Sequence, residues 1–503
     1  MLLIFPPVAK PCEPPAGIAR LAAALHGHGR PCRLLDANLE GMLWLLGQPC
    51  DAADTWSRRA IRNIPTNLGS LRDPKTYSSP DRYNRAVRDV NRALAVSGRG
   101  SGAIVGLADY HHPALSPLSS TDLLYAAEHP EQNPFFPWFS KRLAECLDGV
   151  GVVGFSLNYL SQALCVFAMI GFVRRHAPEL RIVLGGGLVT SWLSRPDWVN
   201  PFGRLVDHLA AGPGEWFLLS LGGCKGAQPE PATPDYTGLP LADYLAPGLI
   251  LPYSAAGGCY WNRCSFCPER AEGNAYAPQA VSRVMADLHL LVTRTRPALL
   301  HLLDNAVSPA LLGALADEPV GVPWYGFARI GQELANQDFC RALRRSGCVM
   351  LKLGLESGDQ GVLDRLGKGI DLATASRVLL NLKEVGIRVY LYLLFGTPAE
   401  TEAEARHTLE FVIRHGDAIG FLNLALFNMP INADEAGEYE AEPFYQGDLS
   451  LYTGFRHPAG WDRKHVRRFL SHEFTRNPAV AAILKNDPPL FTSNHAPFFT
   501  EWL

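Results

Sequence analysis

Strand-like and helix-like segments take turns along most of this chain, and that alternation limits the fold more than any other feature. Leu2–Phe5 is a short apolar run, followed by a turn carrying Pro6, Pro7, Pro11, Pro14 and Pro15. An alanine- and leucine-rich helical pattern then runs from Gly17 to His28, and Leu34-Leu35-Asp36 is apolar again. The rhythm resumes at Gly151-Val-Val-Gly-Phe-Ser-Leu, passes through a helical stretch near 161–175, and repeats at Arg181-Ile-Val-Leu-Gly-Gly-Gly and at 205–211. Strand–helix–strand order predicts a parallel, doubly wound sheet, because the helix must carry the chain back across the sheet face. Glycines at strand ends let a ligand approach the backbone at the carboxyl edge of such a sheet.

The alternation restarts at 251. Strand candidates lie at 252–256, 298–303, 323–327, 349–355, 388–395 and 419–426, with helical patterns between them at 280–293, 338–346, 372–385 and 402–415. Six βα units predict a partial, open (β/α)6 barrel with its chemistry on loops at the carboxyl ends of the strands. The expected organisation is a Rossmann-like domain over 1–225, a Pro-rich linker over 226–250, the barrel over 251–426 and an irregular, aromatic C-terminal extension over 427–503. Residues 46–147 interrupt the first domain. They are rich in Arg, Asn, Pro and Gly with weak periodicity, and predict an insertion of short helices and loops that docks near Asn133-Pro-Phe-Phe136.

A hydrophobic content of 47% and a charged content of 19% are those of a globular protein, and 503 residues suffice for two or three cores. The net charge of −3 gives no electrostatic case for nucleic acid. No apolar run reaches the length of a membrane span, and the first residues lack the layout of a signal peptide. Eleven cysteines, an odd number irregularly spaced, argue against a disulfide framework and for a reducing cytoplasm.

Three of those cysteines stand together. Cys259, Cys264 and Cys267 lie in Gly-Gly-Cys-Tyr-Trp-Asn-Arg-Cys-Ser-Phe-Cys-Pro, on a loop opened by two glycines. Soft thiolates select zinc or iron–sulfur clusters. A structural zinc site needs a fourth ligand, usually from a second Cys or His pair close by. The next cysteine is Cys340, and the next histidines, His289 and His301, are not paired. Three thiols and a vacant corner suit a 4Fe–4S cluster with one open iron.

The cysteine loop, the six βα units and the preceding sheet domain together resemble radical S-adenosylmethionine (SAM) enzymes, and among them the group with an N-terminal cobalamin-binding-type domain. Supporting phrases are Leu353-Gly-Leu-Glu-Ser-Gly-Asp, then Val362-Leu-Asp-Arg-Leu-Gly-Lys-Gly, and the turn Leu394-Phe-Gly-Thr-Pro-Ala-Glu-Thr401. The family usually puts three residues between its first two cysteines. Here there are four, Tyr260, Trp261, Asn262 and Arg263, and the extra residue is expected to bulge outward without moving the thiolates.

The resemblance implies that the cluster's open iron chelates SAM, and that one electron, from a donor such as flavodoxin or ferredoxin, cleaves it to a 5′-deoxyadenosyl radical. By position it assigns Asp304 and Asn305 to the methionine amino group, Arg329 to a carboxylate, Glu356 and Ser357 to the ribose, and Gly396 and Pro398 to the adenine surroundings. Phe266, before the last cysteine, joins the cofactor-binding set. Cap or turn duty remains the other reading of each polar residue.

Cobalamin domains that ligate cobalt through histidine carry Asp-x-His-x-x-Gly after the first strand. That loop contains no histidine here, and the near matches Asp36-Ala-Asn-Leu-Glu-Gly41 and Asp109-Tyr-His-His-Pro-Ala114 lie elsewhere. Binding without a histidine ligand would use Ser156, Asn158, Gly185, Gly186, Gly187, Thr190, Gly212 and Gly214. The tight turns of an empty Rossmann-like domain explain the same glycines. The expected activity is methylation or a related C–H functionalisation on a small molecule, lipid or peptide. A cobalamin-free radical enzyme and a non-catalytic iron–sulfur redox protein are the alternatives.

Overall fold

The computed structural model describes residues 1–224, 232–442, 447–489 and 495–500. It divides into two compact units between Ile250 and Leu251, with the segment 447–451 belonging to the first. No helix among the described residues is long and apolar enough to cross a membrane.

The first unit begins β1 (Leu2–Phe5), α1 (Ala16–Gly27), β2 (Arg33–Asp36) and α2 (Ala37–Leu46). Helices α3 (Thr55–Arg62), α4 (Ile64–Arg72) and α5 (Pro80–Ser97) follow, then a hairpin of β3 (Ile104–Val105) and β4 (Tyr110–His111), and helices α6 (Ser120–Glu128) and α7 (Phe136–Leu147). The alternation then returns with β5 (Val152–Ser156), α8 (Leu160–His176), β6 (Arg181–Gly185), α9 (Gly187–Leu193), β7 (His208–Ala210) and α10 (Glu215–Leu221). The five-stranded parallel sheet has the order β2-β1-β5-β6-β7. Its strands are buried on both faces, which is why Leu2-Leu-Ile and Val152-Val read as unbroken apolar runs. Winding direction reverses between β1 and β5, so the crevice of this sheet lies at their carboxyl ends.

The insertion departs from expectation in one element. Helix α5 is 18 residues long, and it buries Tyr83, Ala86, Val87, Val90, Ala93 and Leu94, a helical stripe. Arginines at 82, 85, 88 and 92 between those positions masked the period. Phe135 and Phe139 are fully buried, and the Asn133 side-chain amide donates to Cys165 Sγ on α8 at 3.4 Å, so the chain docks where the Asn133–Phe136 phrase placed it. The stretch read as a linker is not free where it is described. Tyr236, Tyr244 and Leu245 are buried on the first unit, Leu245 N–H donates to Pro11 O at 2.8 Å, and the Tyr244 hydroxyl donates to Asp36 Oδ2 at 2.6 Å. Residues 226–231 lie outside the described residues.

The second unit carries β8 (Ile250–Tyr253), β9 (Ala256–Gly257), α11 (Pro268–Ala271), β10 (Ala277–Pro278), α12 (Val281–Thr295), β11 (Leu299–Leu302), α13 (Pro309–Asp317) and β12 (Trp324–Ala328). It continues through α14 (Gln337–Arg345), β13 (Cys348–Glu356), α15 (Gln360–Arg365), α16 (Leu372–Val385), β14 (Arg388–Phe395), α17 (Glu402–His415) and β15 (Phe421–Leu426). The six-stranded sheet has the order β15-β14-β13-β12-β11-β8, each strand beside its predecessor of this set, and β11 to β15 pair in parallel. It is an open sheet of βα units, as the spacing predicts.

The extension adds a small antiparallel sheet of β16 (Met429–Pro430), β17 (Ala441–Glu442) and β18 (Tyr452–Phe455), then α18 (Arg463–Phe469) and α19 (Pro478–Leu484). Lys464, His465, Arg467 and Arg468 are exposed on α18 while Val466 and Phe469 are buried, so these basic residues form a solvated helix face. His495 is buried and stacks on Tyr390 with centroids 4.7 Å apart.

Candidate active site

The cysteine loop leaves the carboxyl end of β8 and is fastened at both ends. At its start, Asp304 Oδ2 accepts from Ala255 N–H at 3.1 Å, Asn305 Nδ2 donates to Gly258 O at 3.3 Å, and β9 pairs with β10. At its far end Ser265 N–H donates to Leu366 O at 3.0 Å, and Cys267 caps the short helix α11. Asn262 takes a left-handed backbone, φ 42°, and both it and Arg263 are exposed, the Arg263 guanidinium lying 5.0 Å from the Trp261 ring centroid. Trp261 itself packs inward.

Cys264 is buried, and Cys259 and Cys267 are half-buried. Burial pushes the Cys264 and Cys267 thiols up. Lys368 and Arg329 draw Cys264 back toward thiolate, and the backbone N–H groups of Glu269 and Arg270 do the same for Cys267. Among the described residues no three His, Cys, Asp or Glu side chains converge on a single-ion position. The donor set, three thiols on one loop, has the soft-ligand chemistry that suits a 4Fe–4S cluster with one iron left without a protein ligand.

Beside the thiols stands a compact charge set. The ladder between β13 and β14 slips between Gly354 and Glu356, and Glu356 has φ 69°, which re-aims its carboxylate. Lys368 Nζ donates to Glu356 Oε1 at 2.7 Å, and these side chains are only 9% and 12% exposed. The same ammonium lies 5.5 Å from the centroid of the Phe266 ring. Arg329 Nη2 donates to Lys368 O at 2.6 Å, and its guanidinium lies 3.9 Å from the Trp261 ring centroid. The structure therefore brings Cys264, Phe266, Arg329 and Glu356 together. Sequence reasoning missed Lys368 and Trp261 as members. Lys368 sat in a quoted phrase, between two glycines, and that was its one signal.

Other candidates are occupied with the fold. Ser357 is fully buried, its hydroxyl shared between Thr408 Oγ1 at 3.2 Å and Asp359 N–H at 3.1 Å, which is turn duty. Asp304 is 3% exposed, and burial raises it to about 6 against the pull of backbone N–H groups. Gly396 has φ 79°, and its N–H donates to Glu400 Oε2 at 2.6 Å; Pro398 beside it is half-buried. Glu400, unmarked by the sequence reading, also accepts from Trp461 Nε1 at 3.0 Å, and burial raises it to about 7.

At the carboxyl edge of the first sheet the polar candidates satisfy one another. Asn158 Nδ2 donates to Ser156 Oγ at 3.0 Å, and Asn158 Oδ1 accepts from Gly187 N–H at 2.9 Å. The Thr190 hydroxyl donates to Gly186 O at 3.0 Å and accepts from Gly212 N–H at 2.9 Å. Gly186 has φ 109°, and a Cβ there would collide with the Leu157 carbonyl and sit 2.9 Å from Asn158 Oδ1. Gly185 and Gly214 are close to Ala210 and Leu21. Gly187 and Gly212 are different: both are exposed, and neither crowds another group. At the crevice between β1 and β5, the fully buried Gln162 joins the two loops, donating to Pro6 O at 2.7 Å and accepting from Asn158 N–H at 2.9 Å.

The family model of the radical SAM superfamily matches residues 327–412, from β12 into α17. A protein of Pyrococcus horikoshii named as the uncharacterized methyltransferase PH0819 is 25% identical over 233 residues, 42% of this chain and 50% of its own length. Protein YhcC of Escherichia coli K12 is 35% identical over 68 residues, 14% of this chain and 22% of its own length. The chain thus spans half or less of the length of these curated relatives. The solved structure of the radical SAM methyltransferase TsrM from Kitasatospora setae superposes with TM-score 0.54 at 15% identity, over 92% of this chain and 84% of that one. A second structure of TsrM gives 0.53 at 16%, over 92% and 82%. The segment from β12 into α17 thus matches the radical SAM superfamily model, within the second unit. The fold of this chain resembles that of TsrM.

Proposed function

We propose that this chain is a cobalamin-dependent radical SAM methyltransferase acting on an unactivated carbon of a small molecule. Cys259, Cys264 and Cys267 would hold the cluster, which supplies the electron and the open coordination site for SAM cleavage. The observation that carries this reading is the set formed by Cys264, Phe266, Arg329, Glu356 and Lys368. A redox carrier needs only the thiols, whereas this loop is built against a buried ion pair at the ends of parallel strands. Phe266 and the Lys368–Glu356 pair would exclude water and orient the bound nucleoside. A flavodoxin- or ferredoxin-like reductant would deliver the electron.

Cobalamin would lie at the carboxyl edge of the first sheet. Gly187 and Gly212 leave open backbone there, and the lower face of the corrin would meet no histidine. TsrM, whose fold this chain shares, has been solved with cobalamin and a 4Fe–4S cluster bound, and with tryptophan substrate and a SAM analogue. These support the corrin and a small-molecule substrate. One observation favours a second reading, a radical enzyme without cobalamin: Gly186, Asn158 and Thr190 are all required by the turns themselves.

Anaerobic reconstitution separates the two. The protein should hold about four irons and four sulfides per chain, release 5′-deoxyadenosine with dithionite and SAM, and retain hydroxocobalamin in equilibrium dialysis. Cluster and cleavage without corrin binding would establish the second reading. No cluster would end both.

A further inference from the structure

We propose that Trp261, the inward-turned residue of the four between the first two cysteines, is a positioning residue for SAM binding. The inference rests on the radical SAM reading and concerns this chain's own loop. Trp261 Nε1 donates to Gly367 O at 2.9 Å. Its ring lies against Gly369, where any Cβ would collide with it; Gly369 has φ 63°, so the turn is shaped to receive the indole.

The face of the indole carries the Arg329 guanidinium at 3.9 Å. A planar cation on a planar ring is held in orientation as well as position. Arg329 is fixed in turn by its bond to Lys368 O at 2.6 Å, and Lys368 reaches Glu356 at 2.7 Å. One run of contacts therefore joins the cysteine loop to Trp261, Arg329, Lys368 and Glu356. Trp261 is its only member inside the loop that meets both the turn and the arginine. The thiols have a separate anchor, the Ser265 N–H to Leu366 O bond, which does not pass through Trp261. Loss of the indole should disturb the charge set and leave the cluster in place.

Two substitutions separate positioning from space filling. W261L fills part of the indole's space with apolar volume but offers no ring face; W261F keeps a smaller ring face and loses the indole N–H and the fused-ring atoms that lie against Gly369. Each protein is reconstituted anaerobically, and iron and sulfide content, the SAM dissociation constant and the change that SAM induces in the EPR spectrum of the reduced cluster are measured. Both variants should carry the full cluster. W261L should bind SAM about tenfold or more weakly, as supporting residues around metal centres do, with its EPR spectrum unchanged at SAM concentrations that saturate the wild type. W261F should stay within about threefold of the wild type. Equal SAM affinity and EPR response in W261L and the wild type would reduce Trp261 to filler and overturn the proposal. So would loss of the cluster in W261L, or equal weakening in both variants. Failure of the wild type itself to bind SAM would instead overturn the radical SAM reading beneath it.

Discussion

The two sheets end their strands in opposite ways. At the carboxyl ends of the second sheet the chain places side chains: three thiols, Glu356, Lys368 and Arg329, most of them drawn into a buried network. At the carboxyl ends of the first it removes them, with Gly185–Gly187, Gly212 and Gly214, and the few polar groups left there bond to one another. A site built from side chains declares its chemistry, because thiols and buried ion pairs have few other uses. A site built from absent side chains declares only space, which a ligand or the chain's own backbone can fill.

The largest expected effect lies on the side-chain side of that contrast. C264A should eliminate the cluster, read as loss of its visible absorbance and of iron, because two thiols cannot anchor it. C340S should load normally, since Cys340 is a buried thiol donating to Leu334 O. A full cluster in C264A would break the assignment of the loop.

The next effect tests the glycine edge. G186A should destabilise the first unit by roughly 2–4 kcal/mol, combining a collision with backbone and a left-handed φ. G187A should be near neutral, because its Cβ meets nothing closer than Asn158 Oδ1 at 3.8 Å. Thermal unfolding compares them. A bulky residue at Gly187, rather than at Gly186, is then the clean probe of corrin binding. Equal stability of G186A and the wild type would show that the turn does not need its glycine, leaving the ligand as its reason.

The smallest effect is a pH slope at the second sheet. Glu400 sits near 7 in the folded protein against an ordinary value of 4.5. Its proton is bound more tightly folded than unfolded, so its contribution is complete below about pH 4.5 and is lost as pH rises through about 7. E400Q can still accept from Gly396 and Trp461, and should unfold with a Tm that is flatter across that window than the wild type's. The same slope in both proteins would place the ionisation elsewhere.

The strand and helix order, the open six-stranded sheet and the cysteine loop were legible in the chain itself. Each is written in a local signal: apolar runs between helical stripes, or thiols at a short spacing. Helix α5 was hidden because arginines filled the positions between its buried residues. The 232–250 stretch read as a linker because prolines mark irregular backbone whether or not it is packed. What the sequence by itself determined, then, was which elements form and which side chains are of a kind that can hold a soft metal. Only the tertiary structure decided that Lys368, remote from the cysteines along the chain, stands beside them, that Ser357 turns away into α17, and that Asn262 and Arg263 of the loop are exposed while Trp261 turns inward. Those outcomes depend on which strand ends come together and on a slip in the β13 ladder that re-aims Glu356. Contacts of that kind join residues far apart in sequence, and no local pattern encodes them.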